Sequence, residues 1–162
     1  MRKRLFAFDA VIYTFLLLVL VFMKGSNQGI NLIPFDFVRE YILKKEPLGF
    51  SNIIGNILMF VPFGIFLGIK KTTVCKSIVR ILALTLTIEI IQFIFKRGIS
   101  DIDDVILNLI GGLIGLACYY ALSKLKYRDE LLLMFMLILF LSMILLILAL
   151  HFGLFGVYIR VF

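Results

Sequence analysis

Five stretches of this chain are apolar for long enough to cross a bilayer, and they leave little sequence for anything else. They cover residues 5–23, 53–69, 77–95, 105–122 and 131–150. The first is about 28 Å long as a helix at 1.5 Å per residue, which matches a hydrocarbon core of about 30 Å. Hydrophobic residues make up 62% of the 162. A soluble domain carries about 45–50%, and here the excess lies in uninterrupted runs, the pattern of membrane helices. The expected fold is all-α: a polytopic bundle of about five transmembrane helices forming one membrane domain over residues 1–162. The aromatic tail, residues 151–162, is expected to lie at the membrane interface.

The net charge of +7 follows from this arrangement. Lys and Arg sit at the ends of the apolar runs, where they set topology and contact anionic lipid, so no nucleic acid is expected. With the N-terminus inside, the cytoplasmic side holds Arg2, Lys3, Arg4, Lys70, Lys71, Lys76, Arg80, Lys124, Lys126 and Arg128. The other side holds Lys24, Arg39, Lys44, Lys45, Lys96, Arg97 and Arg160, largely offset by acidic residues. The denser basic clusters predict a cytoplasmic N-terminus and an extracellular C-terminus at the plasma membrane. The start of the chain has a basic region and an apolar core without a small-x-small cleavage site, and reads as an uncleaved first helix. Cys75 and Cys118 have no metal-ligand spacing around them and read as buried small apolar residues. Asp9 is expected to favour the dipole of the first turn of its helix.

The polar residues inside the runs are few and patterned. Asn56 lies near the start of the second run. Thr85, Glu89, Gln92 and Lys96 recur at spacings of four, three and four along the third, forming one stripe. Asp104, Asn108, Gly111 and Gly115 repeat that spacing in the fourth. The stretch "FKRGISDIDDVILNLIGG", residues 95–112, joins these stripes, with Gly98 expected to end one helix and Ser100 or Asp101 to cap the next. A carboxylate within hydrocarbon costs about 2.5–3.5 kcal/mol on insertion scales. Glu89 therefore needs a partner, for which Arg97, Asn56, Asn108 and Gln92 are the candidates.

The candidate binding cluster is Asn56, Glu89, Gln92, Arg97, Asp101, Asp103, Asp104 and Asn108. The plain alternative is interhelical hydrogen bonding, with Gly64, Gly68, Gly111 and Gly115 letting backbones approach closely. No metal is assigned. Hard oxygen ligands suit a divalent cation, but from Asp101 an EF-hand loop would need a glycine where Ile106 stands and a Glu where Gly112 stands. Nucleophilic hydrolysis lacks its parts: the one histidine, His151, is remote, and no serine sits in a nucleophile elbow.

Read in order, "NLIPF" at 31–35, "GNILMFVPFG" at 55–64 and "EIIQFIFKRGISDIDDVILNLIGGLIG" at 89–115 resemble the VanZ-like family. The resemblance covers roughly residues 1–150 and takes in Asn56, Glu89, Gln92, Arg97, Asp101, Asp104 and Asn108. It implies a small polytopic membrane protein of a Gram-positive cell envelope, associated with resistance to teicoplanin and related lipoglycopeptide antibiotics. No catalytic residue travels with it. The expected partners are the lipid bilayer and a lipid-linked cell-wall precursor or the lipoglycopeptide itself, and the convergence of Asn56, Glu89, Arg97, Asp104 and Asn108 suggests a polar notch between the second, third and fourth helices that binds or shields such a target at the outer leaflet. An enzyme acting on such a precursor through Glu89 with Asp103 or Asp104 is the alternative reading. A structural or accessory subunit is the third. No cofactor and no particular oligomeric state is expected.

Overall fold

The computed structural model describes residues 2–23, 29–38 and 47–151. Its elements are α1 (Arg2–Met23), β1 (Gly29–Asn31), α2 (Pro47–Ile69), α3 (Val74–Ile94), β2 (Ile99–Asp101), α4 (Ile102–Ala121) and α5 (Arg128–His151). The expected interfacial tail lies outside the described residues beyond His151. Each helix starts N-terminal to its apolar run, at Arg2, Pro47, Val74, Ile102 and Arg128.

Segments of α1, α3 and α4 (Lys3–Phe22, Val74–Ile94, Ile102–Ala121) are long and apolar enough to span a membrane, and Ile53–Ile69 of α2 is a shorter apolar helix. What the molecule buries makes the same point. Asn56, Ser77, Thr85, Glu89, Gln92, Asp104 and Asn108 are buried, whereas Val11, Phe15, Ile90, Phe135 and Ile138 are exposed. Hydrocarbon outside and polar groups inside is a stable arrangement only when the surrounding solvent is lipid. The chain is a helical membrane protein.

The tightest helix pair is α2 against α4, which run parallel. A Cβ built on Gly64 would collide with the Gly112 carbonyl, one on Gly111 with the Ile57 carbonyl, and one on Gly115 with the Val61 carbonyl. The glycines are therefore packing residues whose missing side chains set the interaxial distance. Antiparallel α3 lies against α4, with Ile81 filling the space beside Gly112. Helix α5 packs on α1, and Arg128 anchors its start by lying 3.9 Å over the Tyr119 ring of α4.

The bundle has two unlike ends. The basic end gathers the start of α1, the α2–α3 turn and the α4–α5 connection. The strand end gathers β1, β2 and the starts of α2 and α4. There β1 pairs with β2 in parallel, Gly29 opposite Ile99 and Asn31 opposite Asp101. This two-stranded element is an addition to the all-α expectation.

Three local readings change. Helix α3 ends at Ile94, and Lys96 rather than Gly98 turns the chain out of it. Lys96 takes φ 55°, its N–H reaches the Phe93 carbonyl and the Arg97 N–H reaches the Gln92 carbonyl at 2.8 Å, the two bonds of a Schellman cap. Gly98, at φ 82°, then turns the chain into β2. Cys75 and Cys118 are exposed, because both point away from the helix partners, where a small apolar residue meets lipid at no cost. Asp9 stands in the third turn of α1 rather than the first, and is wholly buried. Among the described residues neither of its carboxylate oxygens has a hydrogen-bond partner.

Candidate functional site

The polar stripe of α3 faces inward because Ser77, Ile81, Thr85, Ile88, Glu89 and Gln92, all buried, repeat at three- and four-residue spacing. The matching face of α4 carries Asp104, Asn108, Gly111, Gly112 and Gly115. Asn56 of α2 completes a three-helix convergence near the strand end. The Asn56 side-chain amide donates to Asp104 Oδ1. One turn deeper, the Asn108 amide donates to Thr85 Oγ1 at 2.8 Å. Two rungs thus cross the interior, linking α2 to α4 and α4 to α3.

Above these rungs the acidic residues hold the backbone. Asp101 caps α4, its Oδ1 accepting the Asp103 N–H at 2.9 Å. Its Oδ2 accepts from the Asn31 amide at 3.2 Å. Asn31 in turn accepts the Ile33 N–H through its own side-chain oxygen, a local turn that starts the following segment. Asp103 takes the Phe35 N–H on one oxygen and the Phe37 N–H, at 2.9 Å, on the other. Glu89 Oε2 accepts the Asp101 N–H at 3.1 Å. Three carboxylates from α3 and the start of α4 therefore clamp β2 and the 29–38 segment onto the bundle. Buried backbone N–H groups must find acceptors, and here acidic side chains supply them. Burial pushes the Asp101 carboxyl above its ordinary value, the Asp103 N–H and the Asn31 amide pull against that, and the neighbouring charges of Asp104 and Asp103 add to it.

Of the eight candidate residues, the structure brings together Asn56, Glu89, Gln92, Asp101, Asp103, Asp104 and Asn108. Arg97 stands apart. It is exposed, and its side chain makes no hydrogen bond or ion pair among the described residues. The left-handed Lys96 swings the following residue away from the helix axis, so sequence proximity to Glu89 does not become contact. Glu89 Oε2 is met by the backbone N–H of Asp101. Three partners escape the sequence pattern: the Asn31 side chain and the N–H groups of Phe35 and Phe37. The signal for them was present, since Asn31 and Phe35 are the first and last residues of "NLIPF", but nothing local tells which distant side chain they meet.

Two acceptors at this site are unused. Gln92 Oε1 and Asn108 Oδ1 have no hydrogen-bond partner among the described residues, although the two residues are 2% and 1% exposed. Buried amide oxygens of this kind carry a desolvation cost of about 1–3 kcal/mol each. Among the described residues no three His, Cys, Asp or Glu side chains group as metal ligands. The arrangement offers hydrogen-bond acceptance beside carboxylates, which suits a ligand bearing N–H or O–H donors.

The family model described as VanZ/LLP1 matches residues 8–124, from α1 through the end of α4. Protein VanZ of Enterococcus faecium is 35% identical over 108 residues, an alignment covering 65% of this chain and 62% of that protein. The chain thus spans less than two thirds of the length of this relative. No solved structure matches.

Proposed function

The chain belongs to the VanZ/LLP1 family, and from that premise we propose that it protects against teicoplanin and related lipoglycopeptides by binding at the outer leaflet. In this reading all five helices cross the membrane, the N-terminus is cytoplasmic, and the strand end faces outward. The notch between α2, α3 and α4 takes a donor-bearing group of a lipid-linked wall precursor or of the antibiotic. Occupancy shields the target without turnover. No cofactor takes part.

The observation that carries this proposal is the pair of buried, unpartnered acceptors, Gln92 Oε1 and Asn108 Oδ1. They lie on the same inward faces as Glu89 and Asp104, where a donor entering from the strand end would satisfy them. The orientation draws support from the exposed basic residues at the opposite end, Lys3, Arg4, Lys70, Lys71, Lys76, Lys124 and Lys126, since cytoplasmic loops are enriched in Lys and Arg. Binding is favoured over catalysis because Asp101 and Asp103 each spend both carboxylate oxygens on the protein's own donors.

The test is teicoplanin susceptibility of a sensitised Gram-positive host expressing the protein at matched membrane levels. Gln92→Leu and Asp104→Asn are each expected to lose most of the protection, with extracted lipids and wall precursors unchanged in mass. Full protection by both variants would remove the notch from the account. A new lipid or precursor mass on expression would establish the enzyme reading instead.

A further inference from the structure

We infer that the recess between α1, α2 and α3 at the basic end binds one anionic phospholipid, its phosphate at Lys3 and Lys70 and an acyl chain along the aromatic wall behind them. This is a second site, at the other end of the bundle from the notch, and it stands independently of the function proposed above.

Two adjoining hollows make up the recess. The outer one, about 460 Å³, has Lys3, Phe6 and Lys70 on its walls. The deeper one, about 310 Å³, shares Phe6 and Lys70 and continues past Phe66 to Leu17 and Leu84. Both fall within the range of ligand pockets, about 300–1,000 Å³. From Lys3 to Leu17 the recess follows one face of α1 for about 21 Å. That exceeds the depth of one leaflet, about half of a 30 Å hydrocarbon core, so an acyl chain fits along it.

The polarity is graded the way a phospholipid is graded. The mouth carries two ammonium groups, and no carboxylate lines either hollow. Lys70 Nζ is held 4.5 Å over the Phe6 ring, and among the described residues neither lysine has an acidic partner. Two unpaired cations above an apolar, aromatic cleft complement a phosphate above hydrocarbon. Basic pockets between membrane helices recognise phosphate-bearing headgroups on this principle.

The experiment uses the full purified chain in detergent, with lipid adducts counted by native mass spectrometry against added phosphatidylglycerol and phosphatidylcholine of the same acyl composition. Phosphatidylglycerol is expected to be retained about thirtyfold better, the scale of two lysines near a phosphate. Lys3→Gln with Lys70→Gln should equalise the two lipids. Thr14→Trp, an exposed position that opens on the deeper hollow, should reduce retention of both. Lys124→Gln with Lys126→Gln, basic residues at the same end that line neither hollow, should leave the preference intact. Equal retention of the two lipids by the unaltered protein would overturn the inference. So would loss of preference in the Lys124/Lys126 variant as large as in the Lys3/Lys70 variant, or full retention by Thr14→Trp.

Discussion

The two ends of this bundle carry charge in opposite ways. At the strand end, Glu89, Asp103 and Asp104 are buried, and the carboxylates of Glu89, Asp101 and Asp103 take up backbone N–H groups. At the basic end, Lys3, Lys70, Lys71, Lys76, Lys124 and Lys126 are all exposed and, among the described residues, unpaired with acids. The acidic residues organise the protein itself, whereas the basic residues address whatever surrounds it. A run of charge beside an apolar segment looks the same in both places when only the sequence is read. Burial and backbone donors separate framework from surface.

The largest effect is expected from disrupting the helix platform that brings the strand end together. Gly111→Leu or Gly115→Leu forces side-chain atoms into the carbonyls of Ile57 or Val61. The expected cost is about 3 kcal/mol or more, seen as loss of monodisperse protein on extraction from membranes. Next in size, Asp103→Ala strands the Phe35 and Phe37 N–H groups at about 1–3 kcal/mol each. Hydrogen exchange should rise across residues 29–38 while α2 and α4 stay protected. Lys124→Ala, its counterpart at the basic end, should move stability by less than about 0.5 kcal/mol. If the two substitutions were equally harmless, the acidic side chains would not be the framework.

Asp9 is the exception, a buried carboxylate near the basic end with no hydrogen-bond partner among the described residues. Asp9→Leu should stabilise by about 1–2 kcal/mol, since a buried polar group without a hydrogen bond costs energy that a hydrocarbon does not. A raised unfolding temperature in detergent would show it. Lys96→Gly relieves a left-handed non-glycine residue and should gain about 1 kcal/mol, measured the same way.

The smallest effect concerns pH. Because the folded protein holds the Asp101 carboxyl above its ordinary value, the native state binds the proton more tightly than the unfolded chain. Stability from this group is therefore full below the ordinary carboxylate range and declines as pH rises through the raised value. Asp101→Asn, which retains an N-cap acceptor, should flatten that part of the profile.

Much of this arrangement was legible in the sequence. The inward stripe of α3 and the matching face of α4 follow from spacings of three and four, and periodicity reports burial in lipid as it does in water. The Gly111 and Gly115 contact was equally readable, because small residues at that spacing serve close helix approach. The β1–β2 pair was not, since three-residue strands carry no usable alternation and pair across about seventy residues. Arg97 was misplaced for a local reason: periodicity extends a helix until a glycine or proline stops it, whereas here Lys96 adopts the left-handed turn itself. Asp103 is visible in the sequence by its type, whereas the Phe35 and Phe37 N–H groups that donate to it carry no sequence signature.

The most direct test of the account asks which end faces the outside of the cell. In a background with Cys75 and Cys118 replaced by serine, Lys96→Cys and Lys124→Cys would be exposed in turn to a membrane-impermeant maleimide on intact cells. The account predicts labelling at position 96, and at position 124 only after permeabilisation. Labelling at 124 with protection at 96 would place the notch on the cytoplasmic side and contradict it.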